Sequence, residues 1–109
     1  MRVIKLLIAT LVILNNSTNG QSIKGKLLDL VDNKPLRGAS VNLTNLKDSL
    51  QTFNSISDSS GKFEFTNLPV DSFTLRISFV GYEDFKQIVA TKDTTIDLGT
   101  LFIPKAIKA

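Results

Sequence analysis

The chain has 109 residues, enough for one domain and not two, and a formal charge of +3. It contains neither His nor Cys, which excludes His-based triads, Cys nucleophiles, disulfides, haem axial His and zinc sites of the usual ligand set. Lys and Arg are scattered among Asp and Glu with no basic stripe, so nucleic-acid binding lacks its electrostatic footprint.

The first twenty residues read as a signal peptide. Arg2 and Lys5 form a basic start, residues 6–14 (LLIATLVIL) a continuous apolar run, and Asn15-Asn16-Ser17-Thr18-Asn19-Gly20 a polar, small-residue stretch. That order is the layout of a secretory signal, with cleavage expected after Gly20. The alternative, an uncleaved anchor, is disfavoured because the apolar run falls well short of the roughly 20 residues that span a bilayer. No Cys follows the run, which excludes a lipoprotein anchor. The sequence therefore predicts an exported protein of the periplasm or cell outer membrane, with a folded domain over residues 21–104 and a C-terminal tail over 105–109. Without Arg2 and Lys5 the charge drops to +1. Asn42-Leu43-Thr44 has the form of a glycosylation sequon, relevant only in a eukaryote.

Beyond the signal the dominant pattern is alternation. Residues 22–30 (SIKGKLLDL) predict a first strand, with Gly25 a bulge or a point of close approach. Residues 39–43 (ASVNL) predict a second and 50–57 (LQTFNSIS) a third. In Lys62-Phe63-Glu64-Phe65-Thr66 every second residue is aromatic, and Phe73-Thr74-Leu75-Arg76-Ile77-Ser78-Phe79 keeps the same period of two for its whole length. Successive side chains on a strand point to opposite faces, so both are half-buried strands, whereas helical spacing would scatter their apolar residues around the cylinder. Residues 83–90 and 95–101 complete a set of seven.

The punctuation agrees. Asp32-Asn33-Lys34-Pro35-Leu36-Arg37-Gly38 separates the first two strands. Asp58-Ser59-Ser60-Gly61 predicts a type I turn with Gly61 left-handed. Asn67-Leu68-Pro69 ends the Phe63/Phe65 strand, because proline cannot donate to the ladder. Short strands with a turn every 8–12 residues or so indicate a sandwich or barrel, and one apolar face per strand favours two sheets that cover each other. The fold predicted is all-β: a seven-stranded antiparallel, Greek-key-like β-sandwich after a signal-peptide helix.

Three segments together resemble a known family. They are Ile23-Lys24-Gly25-Lys26 with Pro35-Leu36-Arg37-Gly38-Ala39-Ser40-Val41; Ser57-Asp58-Ser59-Ser60-Gly61-Lys62-Phe63-Glu64-Phe65-Thr66-Asn67-Leu68-Pro69; and Phe73-Thr74-Leu75-Arg76-Ile77-Ser78-Phe79-Val80-Gly81-Tyr82-Glu83. In this order they resemble the carboxypeptidase regulatory-like domain, a transthyretin-like (prealbumin-like) sandwich. The Phe-Val-Gly-Tyr-Glu variant is similar to the form at the amino terminus of TonB-dependent outer-membrane receptors and related β-barrel proteins of Bacteroidetes, where the domain directly follows the signal peptide. The resemblance implies a protein partner, the barrel or plug of such a receptor or another periplasmic protein, and outer-membrane association through it. No plug, barrel strands or TonB box is recognisable after Pro104, so the chain is expected to be a front piece, a split form or a stand-alone relative. A free-standing secreted binding domain for a glycan or peptide is the alternative, from the fold's kinship with starch-binding-like sandwiches.

The residues offer little chemistry: no catalytic residue, no cofactor and no metal site is predicted. The six glycines are dispersed, so no phosphate loop exists. Asp58 could supply hard oxygen to calcium, but calcium takes six or more oxygens, and an Asp bonding its own turn is the simpler reading. Glu83 and Asp84 are adjacent and point to opposite faces of a strand, so they cannot act on one bond. Tyr82 is the sole tyrosine and there is no Trp. With Phe63, Phe65, Phe73 and Phe79 assigned to the core, Tyr82, Phe53 and Phe85 remain for a ligand face. Tyr82 and Phe85 are the candidate binding residues, against the alternative that Tyr82 is a core residue with a polar tip.

Overall fold

The computed structural model describes residues 20–92 and 95–107. The predicted signal helix lies outside the described residues. Seven strands follow: β1 Gln21–Asp29, β2 Ser40–Asn45, β3 Thr52–Ile56, β4 Lys62–Leu68, β5 Ser72–Ser78, β6 Phe85–Ala90 and β7 Ile96–Ile103. They form a three-stranded sheet in the order β4-β1-β7 and a four-stranded sheet in the order β3-β2-β5-β6. This is the all-β sandwich that the alternation predicts.

The period of two decides which side chains enter the core. In β5, Phe73, Leu75 and Ile77 are buried, and their antiparallel partners across β2 are Asn45, Leu43 and Val41. From the other sheet come Ile23 and Leu27 of β1, Phe63, Phe65 and Leu68 of β4, and Ile103 of β7. The ring of Phe53 meets Phe73 edge-on at 5.9 Å between centroids. Each buried side chain of this size stabilises the fold by about 1.5–3 kcal/mol relative to exposure.

One pair departs from the antiparallel expectation: β7 runs parallel to β1, while the other four pairings are antiparallel. Parallel neighbours need a long crossover, and here it is the rest of the domain. The chain therefore starts β1 at one end of the sandwich and finishes β7 at the other, about 30 Å away for a nine-residue strand. Asp29 and Ile103 lie at the exit end, where β7 finishes.

Several boundaries shift for local reasons. β4 runs on to Leu68 instead of closing at Thr66. Asn67, at φ 58°, forms a bulge, since Phe65 pairs with Ile23 but Leu68 with Gln21. The extra residue turns Leu68 inward, where it is fully buried. Gly25 is a point of close approach, because a Cβ there would lie 2.7 Å from the Phe63 ring. The register of β1 on β7 also shifts between Lys24 and Lys26, beside Gly99 at φ 71°. Phe79, expected in the core, lies just beyond β5 and is half-buried against Tyr82, with ring centroids 5.5 Å apart. β6 begins at Phe85 rather than Glu83, because Glu83 N–H bonds to Pro104 O instead of to β5.

Candidate functional site

The alternation of β1 that buries Ile23 and Leu27 also turns Asp29 inward, at the last position of the strand. Asp29 is 1% exposed. Its carboxylate is fully occupied. Oδ1 accepts from the backbone N–H groups of Val31 (2.7 Å) and Asp32 (3.1 Å), which folds the following turn. Oδ2 accepts from the Tyr82 hydroxyl and the Lys105 ammonium, each at 2.6 Å. Asp32 lies 3.8 Å from the same ammonium, which also sits over the Tyr82 ring at 5.7 Å from its centroid.

Backbone bonds hold the three segments in place. Asp29 pairs with Ile103, and Leu30 N–H donates to the Ile103 carbonyl at 3.0 Å. Past Ile103 the chain leaves the three-stranded sheet and bridges to the loop between β5 and β6. Glu83 N–H donates to Pro104 O at 3.0 Å and Ala106 N–H to Gly81 O at 2.9 Å. Lys105 and Ala106, which the sequence places in a tail, are thus built into the domain. Gly81, at φ 88°, supplies the turn this loop requires.

The electrostatics follow from the contacts. The Lys105 ammonium, then the Tyr82 hydroxyl, hold the Asp29 carboxyl far below the ordinary carboxylate range, with burial opposing them. The hydrogen bond to Asp29 pushes the Lys105 ammonium and the Tyr82 phenol above their ordinary values. The carboxylate and ammonium therefore stay charged and the phenol stays protonated around neutrality. None of the three is a base or nucleophile there; the arrangement binds segments together.

The two candidate binding residues are both half-buried at this end. Tyr82 spends its hydroxyl on Asp29 and its ring on Phe79. Phe85 opens β6 opposite Ile77 and packs on the edge of the core. Asp58 bonds its own turn: its Oδ1 accepts from Ser60 and Lys62 N–H, both at 2.9 Å, and Gly61 is left-handed at φ 81°. Among the described residues no three potential metal ligands of the His, Cys, Asp and Glu set converge. Glu83 is exposed, and Asp84 pairs with Arg76 at 2.6 Å on the surface. The sequence reading missed Asp29 and Lys105. A signal for Asp29 was present, since it continues the inward phase of Ile23 and Leu27; nothing near Lys105 in the sequence points to it.

The outer faces of the two sheets differ. That of the three-stranded sheet has a shallow groove of about 470 Å³ lined by Lys24, Lys26, Lys62, Glu64 and Asp97. That of the four-stranded sheet is a carpet of Asn42, Thr44, Thr52, Asn54 and Thr74, edged by Arg76 and Lys86. Asn42 is hydrogen-bonded there to Asn54.

Comparison with known proteins adds three findings. The sequence profile of the carboxypeptidase regulatory-like domain matches residues 22–100. No curated protein matches by sequence. Among solved structures, the group B streptococcus pilus 2b backbone protein aligns with 83% of this chain and 43% of its own, at 18% identity and a TM-score of 0.63. A candidate carbohydrate-binding protein of Bacteroides uniformis aligns over 79% and 42%, at 11% identity and a TM-score of 0.62. A cohesin–X–dockerin complex of Acetivibrio cellulolyticus aligns over 74% and 53%, at 17% identity and a TM-score of 0.55. The chain thus spans about half or less of each of these structures, and at such identities they share its fold alone.

Proposed function

Because the chain belongs to the carboxypeptidase regulatory-like domain family, we propose that it is a non-catalytic, exported accessory module with a protein-interaction or structural role, of the kind that precedes the plug and barrel of TonB-dependent outer-membrane receptors. The observation that carries this reading is the course of the chain: the parallel β1 and β7 place its start and its exit at opposite ends of a rigid sandwich. A module built this way can sit in series between two neighbours. The Phe-Val-Gly-Tyr-Glu segment supports the receptor setting. The pilus and cohesin–X–dockerin neighbours, both from protein assemblies, are in keeping with an interaction role.

Fractionation of cells making the tagged full chain, with a photo-cross-linking residue at Ile107, tests the reading. The expected result is a chain shortened at its amino terminus, found in the periplasm or outer membrane and cross-linked to a β-barrel protein. Cytoplasmic retention with residues 1–20 still attached would sink the exported role.

A second reading, a binding domain for a neutral glycan, has one observation in its favour. The Asn42/Thr44/Thr52/Asn54/Thr74 face offers hydroxyls and amides with few charges to desolvate, and a structural neighbour is a candidate carbohydrate-binding protein. Titration with neutral oligosaccharides, followed by amide chemical shifts, would have to perturb this face selectively for the reading to survive.

A further inference from the structure

We propose that Lys105 is the catch of a latch: its ion pair with Asp29 holds residues 104–107 down on the β5–β6 loop, and letting go frees that segment while the loop and the sandwich stay folded. The inference stands apart from the proposed role and does not depend on it.

Three observations carry it. The first is where the exit segment goes. β7 belongs to the three-stranded sheet, but residues 104–106 bond to the loop of the four-stranded one, through Glu83 N–H to Pro104 O and Ala106 N–H to Gly81 O. The segment is a strap across the end of the sandwich, held by few backbone bonds. The second is the asymmetry of the ion pair. The Asp29 side chain is 1% exposed and the Lys105 side chain 55%. Water can replace the carboxylate around the ammonium, whereas the carboxylate has no such access while Tyr82 and the turn N–H groups enclose it. Opening therefore moves the lysine and its strap, not the aspartate. The third is the separation from the core. The interlocked Leu43, Leu75, Phe73 and Ile77 are fully buried, while around the strap Val80 is 93% and Ile107 89% exposed. The strap itself buries little, since Lys105, Ala106 and Ile107 are exposed, whereas Phe79 and Tyr82 of the loop pack against the core and hold it; a segment of that kind can open on its own. The latch sets the direction in which the chain leaves the sandwich.

Amide hydrogen exchange on the full chain, read residue by residue by NMR, tests this. In wild type the protection of Glu83 and Ala106 should lie at least tenfold below that of the β2 and β5 amides and respond little to denaturant, the mark of a local opening, and in Lys105→Gln it should drop at least tenfold further. Lys105→Arg should restore most of it, since the guanidinium can renew the ion pair. Tyr82→Phe, which removes a donor but leaves the catch, should lower the same two amides by a smaller factor. Unchanged protection of Glu83 and Ala106 in Lys105→Gln would overturn the proposal. So would wild-type exchange at Glu83 and Ala106 with the same protection and the same denaturant dependence as β2 and β5, which would mean that the segment opens only when the whole sandwich unfolds.

Discussion

The two ends of the sandwich are closed by different means. At the exit end a charged pair and a phenol join residues far apart in the chain: Asp29 and Lys105 are 76 positions apart, Asp29 and Tyr82 53. At the opposite end buried Asn45 does similar work over shorter spans. Its amide donates to Gln51 at 2.7 Å and to Asp71 at 2.8 Å, and its carbonyl accepts from Lys47 N–H at 2.7 Å. Beside it the Thr91 hydroxyl accepts from Asp71 N–H at 2.8 Å and donates to Pro69 O at 2.7 Å. The buried side chains Asp29, Asn45 and Thr91 are all hydrogen-bonded, as the cost of an unpaired buried polar group demands. The difference is that one end stitches loops to their own neighbours, while the other fastens the last segment of the domain to the first strand. At the opposite end a carboxylate, Asp71, is met by amide and backbone N–H donors, whereas the exit end sets a buried carboxylate against an ammonium.

The largest expected effect lies between the ends and sets the scale for both. Phe65→Ala removes a buried aromatic and should cost about 3–5 kcal/mol in denaturant unfolding, weakening both ends together. Asn45→Ala should cost about 1–3 kcal/mol, the penalty for leaving buried partners unsatisfied. Combined with Lys105→Gln, its effect should add to within about 0.5 kcal/mol, because a strand length separates the sites. Strong coupling in that double mutant would break the division into two independent ends.

The pH dependence sharpens the comparison. Asp29, Asp71 and Asp58 all have lowered carboxyl pKa values: Asp29 through Lys105, Asp71 through the Asn45 amide, and Asp58 through the Lys62 N–H. A carboxyl lowered on folding contributes stability that is complete above the ordinary value near 3.9 and is lost as pH falls through the folded one. The acid arm thus belongs to both ends and to the Asp58 turn. Tyr82 and Lys105 are raised, so their contribution is complete below the ordinary tyrosine value of about 10 and is lost as pH climbs through the folded values. The alkaline arm belongs to the exit end, where Asp32 also faces the ammonium. Stability measured against pH should therefore lose its Tyr82 and Lys105 alkaline contribution in Asp29→Asn and keep only the part of its acid fall that Asp71 and Asp58 carry. Tyr82 is the sole tyrosine, so phenolate absorbance reads it alone. Its titration should move down towards the free value in that variant, and an unmoved titration would contradict the Asp29 contact. The smallest effect is expected at Lys62→Ala, within about 0.5 kcal/mol, because Lys62 is exposed on the outward phase of the strand that buries Phe65.

Much of the fold was legible because alternation is a local property. Phe63, Phe65, Phe73, Leu75 and Ile77 announced their inward face by spacing alone, and Gly61 and Pro69 announced where strands stop. The bulge at Asn67 was not legible, since it is set by how β4 must meet β1. Tyr82 stood out as the sole tyrosine, but its partner did not, and Lys105 looked like part of a tail.

The sequence by itself determined the strands, their inward faces, the Asp58 turn and the narrow range of chemistry open to a chain without His or Cys, because each depends on residue type and on neighbours a few positions away. Only the tertiary structure decided that β7 lies parallel to β1, that Asp29 is buried with its charge intact, and that Tyr82 and Lys105 come to it. Those outcomes depend on which segments meet after the sheets close on each other, and a burial that would be prohibitive for a lone carboxylate is made stable by donors brought from 53 and 76 residues away.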